Sequence, residues 1–77
     1  MKADQSMDCV GLYCPMPIVK TAAQIKELKT GEVLEIVADD VGIKQDMPAW
    51  CDATGHEFLG IEEEGGEIKA YVKKAHD

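Results

Sequence analysis

The apolar residues of this chain change period several times, and the order of those changes limits the fold. From Ile18 they recur at helical spacing, as Ile18, Ala22, Ile25 and Leu28, with Lys20, Gln24 and Glu27 on the opposite side. Thr30-Gly31 then supplies a stop, since glycine is the usual residue just past a helix. Val33–Ala38 follows as a short β-branched run bounded by turn residues, the pattern of a largely buried strand. Asp39-Asp40 closes it, and a second helical stripe begins: Ile43, Met47, Trp50 and Thr54, with Cys51 at its flank and Gly55 at its end. Pro48 lies inside that stripe, so either the helix kinks there, or its regular part begins near Asp46 as N-cap with Pro48 in the first turn.

Two strand-like runs complete the chain, His56–Glu63 and Glu67–Lys74, joined at Gly65-Gly66, a hairpin signal. The second alternates cleanly, with Ile68, Ala70 and Val72 on one side and Lys69, Tyr71 and Lys73 on the other. A short strand over Gln5–Val10 precedes the first helix. The order β-α-β-α-β-β, joined by right-handed crossovers, predicts an α+β two-layer sandwich. It has a mixed four-stranded sheet with both helices on one face and polar residues on the other. With 77 residues and no linker, repeat or low-complexity stretch, residues 1–77 read as a single domain.

Composition narrows the function. Eight basic against fifteen acidic residues, for a net charge of −7, argue against a nucleic-acid backbone as partner. The acids are unevenly placed: residues 1–30 hold four lysines and three acids, and the remainder four lysines and twelve acids. No apolar run approaches the roughly 20 residues of a membrane helix, so membrane insertion is not expected. The N-terminal residues lack the apolar stretch of a signal peptide, which makes the cytoplasm the expected compartment. Three cysteines, Cys9, Cys14 and Cys51, are an odd set that favours reduced thiols over a disulfide framework.

Cys14-Pro15-Met16-Pro17 stands at the opening of the first helix. Helix N-termini carry unpaired N–H groups and partial positive charge. A thiol there can have its pKa lowered from about 8.5 into a range of roughly 3.5–7.5, which populates the nucleophilic thiolate near neutral pH. With Cys14 as N-cap, Pro17 at N3 has no N–H, so the N–H of Met16 becomes the main backbone donor to sulfur. The prolines fix φ and thereby the direction of the thiol. Leu12, Tyr13 and Met16 around it are apolar, as a protein-docking surface requires. The plainer reading of Cys14 is an inert small hydrophobe at a helix cap.

The run Asp8-Cys9-Val10-Gly11-Leu12-Tyr13-Cys14-Pro15-Met16-Pro17 resembles the signature of the TusA/SirA-like sulfur-carrier family, whose hallmark is Cys-Pro-x-Pro opening the first helix. The resemblance continues through Gly31-Glu32-Val33-Leu34, Asp39-Asp40, Asp46–Trp50 and Gly55-His56-Glu57, and so covers nearly the whole chain. Val41 departs from it, standing where many relatives have proline. The resemblance implies the same β-α-β-α-β-β fold. It also implies a covalent relay in which Cys14 accepts sulfane sulfur as a persulfide from a cysteine desulfurase or a rhodanese-like donor and passes it to an acceptor protein. No cofactor is implied beyond that transient sulfur, and the activity is a relay rather than stand-alone turnover. Pro15, Met16, Pro17, Gly11 and Asp8 then position the thiol. Carriers of this kind serve transfer-RNA thiolation, cofactor assembly or sulfur oxidation according to partners outside the chain. A carrier must present its thiol freely, so a monomer is expected.

Other residues are weighed beside that relay. Lys20 and Lys26 are candidates for meeting an acidic partner surface, although helix solvation explains them as well. Asp8 and Asp46 suit turn or cap hydrogen bonds. Cys9 reads as a half-buried strand residue, with a Cys9–Cys14 redox switch as the alternative, and Cys51 as core filler. A zinc site from Cys9, Cys14, Cys51 and His56 is disfavoured, because its spacings are loose and the metal would block the carrier thiol. His56 reads as a strand-entry residue and His76 as part of a disordered tail. Glu62-Glu63-Glu64 and Glu67 are a solvated charge run at the hairpin. The alternative function is a non-catalytic interaction or regulatory module using the same helix end.

Overall fold

A computed structural model describes residues 2–13 and 15–76. The elements follow the predicted order: β1 (Gln5–Asp8), α1 (Met16–Gln24) continued by a 3₁₀ turn (Ile25–Glu27), β2 (Val33–Ala38), α2 (Ile43–Thr54), β3 (Glu57–Glu64) and β4 (Glu67–Lys73). The sheet order is β1-β2-β4-β3, with β1 parallel to β2 and the other two pairings antiparallel. Both helices pack on one face, giving the α+β two-layer sandwich.

Strand alternation builds the core. Leu34, Ile36 and Ala38 of β2 and Ile68, Ala70 and Val72 of β4 face the helices and are buried. They meet Ile25 of the 3₁₀ turn, Leu28 just after it, and Ile43, Met47 and Cys51 from α2. β3 keeps its own apolar residues inward by a bulge: Phe58 pairs with Val72 and Gly60 with Tyr71, leaving Leu59 as the extra residue. Strict alternation would put Phe58 and Ile61 on opposite faces, whereas the bulge lets both pack on the core.

Several local expectations are corrected. α1 ends at Gln24, passes through the 3₁₀ turn and is extended at Leu28, so the helix stops before Thr30-Gly31. Its inward stripe is centred on Pro17, Thr21 and Ile25, with Ile18 and Ala22 half-buried. The Thr21 hydroxyl escapes a burial penalty by donating to the Pro17 carbonyl at 2.7 Å. α2 starts at Ile43 and not at Asp46, and Pro48 is an interior residue of it. Asp40 organises that start: its Oδ1 accepts from the Gly42 N–H at 3.0 Å. Its carbonyl accepts from Ile43 at 3.2 Å. Successive i→i−3 bonds from Lys44 to Val41 and from Gln45 to Gly42 then satisfy the remaining first-turn donors. Pro48 deprives the carbonyl of Lys44 of its intrahelical donor, but Lys44 is exposed and water can replace it. Gly55 ends α2 at φ +84°, donating to the Cys51 carbonyl.

Two further corrections concern Cys9 and His76. Cys9 is wholly buried rather than half-buried, and it follows β1 instead of ending it. His76 is ordered: its ring stacks on His56 at 4.4 Å between centroids, and His56 in turn stacks on Trp50 at 5.5 Å.

Candidate functional site

Four segments gather at one end of the sheet. β1 and β2 run parallel, so the chain leaves both at the same edge, at Asp8 and at Ala38. β4 begins beside the end of β2, with Ile68 opposite Ala38, which brings the Gly65-Gly66 turn there too. The Cys-Pro-Met-Pro segment connects β1 to α1 at this edge.

That connection is held by its neighbours. The Asp8 carboxylate accepts from the N–H of Val10 at 2.9 Å, turning the chain as it leaves β1. Cys9 donates to the Val37 carbonyl at 2.6 Å, which extends the pairing one residue past the strand. Leu12 donates back to the Cys9 carbonyl at 3.1 Å. Gly11 adopts φ +85°, and its N–H donates to Asp39 Oδ1 at 3.0 Å, tying the β1–α1 loop to the loop after β2. An added Cβ at Gly11 would meet no neighbour, so the need for glycine there is conformational. The predicted positioning residues Asp8, Gly11, Pro15, Met16 and Pro17 are therefore all in this one connection. Cys14 itself lies outside the described residues.

The start of α1 differs from the expectation in one chemically important respect. Pro15, not Cys14, is the N-cap residue, and Pro17 occupies the first turn, buried. The Met16 N–H, expected to serve sulfur, donates instead to the Tyr13 carbonyl at 2.8 Å. Val19 donates to the Pro15 carbonyl at 3.0 Å, closing the first helical turn. Two prolines and one committed N–H leave this helix end with fewer donors than an ordinary one.

Around the connection the surface is apolar. Among the described residues the exposed large hydrophobics are Val10, Tyr13, Met16, Val19 and Val41, with Tyr13 75% exposed and Val41 69%. Four of them lie within five residues of Cys14 in sequence, and Val41 is on the loop that Asp39 ties to Gly11. The described residues thus collect their exposed large hydrophobics at one end. Sequence reasoning found Tyr13 and Met16, but Leu12, named with them, is half-buried and packs against the core. The same reasoning missed Val10, Val19 and Val41, for which the only signal was an apolar residue off the inward stripe.

The other thiols are in a different environment. Cys9 and Cys51 are both in the core, and burial pushes both thiols up, Cys51 to about 11. For Cys9 the charge of Lys20 partly opposes that rise, and Asp8 adds to it. Lys20 is thus near the β1–α1 connection. Lys26 is not: it follows α1 in the 3₁₀ turn, ten residues beyond Met16 or about 15 Å along a helix axis. Asp46 lies in the first turn of α2, where a carboxylate suits the helix dipole. Among the described residues no three His, Cys, Asp or Glu side chains are grouped as metal ligands. The zinc set considered above includes Cys14 and so extends outside them. No described helix is long and apolar enough to cross a membrane.

Comparison with known proteins shows the family and agrees with the fold. Residues 5–74 match the family described as sulfurtransferase TusA. The chain is 36% identical over 74 residues to the sulfur carrier protein TusA of Pseudomonas entomophila (strain L48), covering 96% of this chain and 92% of that one. It is 53% identical over 74 residues to YrkF of Bacillus subtilis (strain 168), of whose length it spans 40%. Among solved structures, a SirA-like protein from Desulfitobacterium hafniense superposes with a TM-score of 0.80 at 20% identity, covering 94% of this chain and 99% of the other. That likeness is one of fold.

Proposed function

The chain belongs to the sulfurtransferase TusA family, and from that premise we propose that it is a sulfur carrier that loads a persulfide on Cys14 and relays it between proteins. The observation that carries the reading is the convergence of the exposed hydrophobics Val10, Tyr13, Met16, Val19 and Val41 about the Cys-Pro-Met-Pro connection. Such a surface suits successive docking of a donor, a cysteine desulfurase or rhodanese-like protein, and of an acceptor. The burial of Cys9 and Cys51, with their raised thiol pKa values, supports Cys14 as the reactive sulfur by contrast.

In loading, the Cys14 thiolate attacks the outer sulfur of the donor's persulfide. A sulfur–sulfur bond forms to Cys14, the donor's own sulfur–sulfur bond breaks, and the donor cysteine leaves as a thiolate. Unloading repeats the step in the other direction: an acceptor thiolate takes the outer sulfur and the Cys14 thiolate departs. Each exchange conserves the oxidation level of the pair, so no external oxidant is consumed. Pro15, Pro17 and Gly11 position the thiol through their restricted or specialised backbone, and of the two candidate docking lysines Lys20, the nearer to this connection, is the one taken to meet a partner.

Intact-mass spectrometry after incubation with a cysteine desulfurase, pyridoxal phosphate and cysteine tests the reading. The wild type should gain about 32 Da, reversible by reductant. Cys14→Ser should gain nothing, while Cys9→Ala and Cys51→Ala should load as the wild type does. Loading of Cys14→Ser, or no loading from desulfurase and rhodanese-like donors alike, would overturn it. The second outcome would leave an interaction module in its place.

A further inference from the structure

At the other end of the sheet, between the 3₁₀ turn, α2 and the residues after β4, lies a cavity of about 390 Å³. Its polar lining is Lys26, Thr54, His56, Lys74 and His76, with the Trp50 ring beside them. Ala22 and Ile25 supply the opposing apolar wall. In a chain of net charge −7, this lining has two lysines, two histidines and no carboxylate.

Lys74 is the unusual member. It is only 6% exposed, yet among the described residues it makes no ion pair. Its Nζ donates to the Leu28 carbonyl at 2.7 Å, which occupies one of three ammonium N–H groups. Buried lysines are ordinarily paired, because an ammonium removed from water without an anion is costly. The backbone holds Lys74 in place: its N–H donates to Glu32 and its carbonyl accepts from Gly31. The anchored backbone and the bond to Leu28 together hold this lysine in the wall of the cavity.

The aromatic side is equally fixed. His56 Nδ1 accepts from the Ala75 N–H at 3.2 Å, so the neutral ring carries its proton on Nε2. His76 Nε2 lies 2.7 Å from the Thr54 carbonyl. The rings of Trp50, His56 and His76 form a continuous stack. A wall of stacked rings with a lysine beside it, facing the apolar Ala22 and Ile25, is complementary to a planar organic anion.

We propose that this cavity binds a small aromatic carboxylate, its carboxylate paired with Lys74 and Lys26 and its ring against Trp50. The site is separate from the thiol end. Lys74 sits beside the residues before β2 and the Cys-Pro-Met-Pro connection beside those after it, a strand length of about 20 Å apart. It does not depend on the sulfur-carrier reading.

The test is an NMR titration of the isotope-labelled full chain with sodium benzoate, and with benzamide as its uncharged counterpart. Benzoate should produce saturable shifts at the Trp50 indole N–H and the amides of Ile25, Thr54 and His56, with a Kd of about 1 mM or tighter. Benzamide should bind at least about tenfold more weakly, the discrimination expected when a charge loses its partner. Lys74→Met should abolish saturation. Because that variant alters a buried residue, Lys26→Met, at an exposed one, provides the check independent of folding and should weaken binding several-fold. Shifts that never saturate, equal binding of benzoate and benzamide, shifts centred away from Trp50, or benzoate affinity unchanged in Lys26→Met would each overturn the proposal.

Discussion

Replacing Tyr71 by Phe removes a hydroxyl that two carboxylates, Glu35 and Glu62, engage on the helix-free face of the sheet. Tyr71 points away from the helices, yet it is only 2% exposed and its hydroxyl donates to Glu35 Oε2 at 2.8 Å. Glu35 Oε1 accepts from the Ser6 hydroxyl at 2.7 Å, so one carboxylate links β1, β2 and β4. Phe keeps the ring and its burial and removes only the hydroxyl. A hydrogen bond to a charged acceptor contributes about 1.5–3 kcal/mol. Glu35 is only half-buried, so water recovers part of that, and the low end, about 1.5 kcal/mol, is expected. For a domain of this size the loss corresponds to a fall in Tm of roughly 6–12 °C.

The contact also has a pH signature. The Ser6 and Tyr71 hydroxyls hold the Glu35 carboxyl below its ordinary 4.5, against a smaller opposing effect of burial. A carboxylate with a depressed folded pKa binds fewer protons folded than unfolded. Its stabilisation is complete above about pH 4.5 and is lost as the pH falls through the folded value. Tyr71→Phe removes one of the two donors, so the variant has less to lose, and the gap between the two proteins should narrow on acidification. Thermal unfolding followed by circular dichroism at pH 7 and pH 3 measures both effects. A loss below about 0.5 kcal/mol at pH 7, or the same gap at pH 3 as at pH 7, would refute the reasoning.

Three other expectations follow from named contacts. Maleimide at pH 7.5 should label one thiol of the native protein and three after denaturation, since Cys9 and Cys51 are in the core; mass mapping that finds either modified in the native state contradicts their assignment. Gly55→Ala should cost about 1–2 kcal/mol in urea unfolding through its φ of +84°. Gly42→Ala, at φ −59°, should be near neutral, and equal losses would show that backbone strain is not the cause. His56 is held below its ordinary 6.5 by burial, His76 and Lys74. The unfolded chain therefore binds the proton first, and stability present above about pH 6.5 should decline as the pH falls through the folded value. His56→Gln should flatten that decline between pH 7.5 and 5, and an unchanged slope in denaturant titrations would exclude His56 as its source.

The element order was legible because its signals are local. The stripe from Ile18 to Leu28, the β-branched run Val33–Ala38, the stop at Gly55 and the Gly65-Gly66 turn each act through neighbouring φ/ψ preferences and side-chain period. The motif Cys14-Pro15-Met16-Pro17 drew notice as a short local pattern, but the roles given to it and to Asp8 and Gly11 came from the family resemblance. Where a local rule had two solutions, tertiary packing chose between them. Pro48 sits inside α2 because burying Ile43, Met47 and Cys51 together outweighs one lost helical hydrogen bond. Thr21 faces inward because its hydroxyl finds the Pro17 carbonyl.

What only the tertiary structure decided involves residues far apart in the chain. Asp39 holds Gly11 from 28 residues away, and Tyr71 reaches Glu35 across 36. Lys74, which strand alternation puts on the same side as Ile68, Ala70 and Val72, finds an acceptor there only in the Leu28 carbonyl, 46 residues away. The slipped register at Leu59 and the acid-free lining around Trp50 likewise exist only once the strands have paired. Periodicity in a sequence states which face a residue takes on its own element. Whether that face meets a carbonyl, a carboxylate or water depends on which other element lies across from it, and that is a property of the assembled sheet.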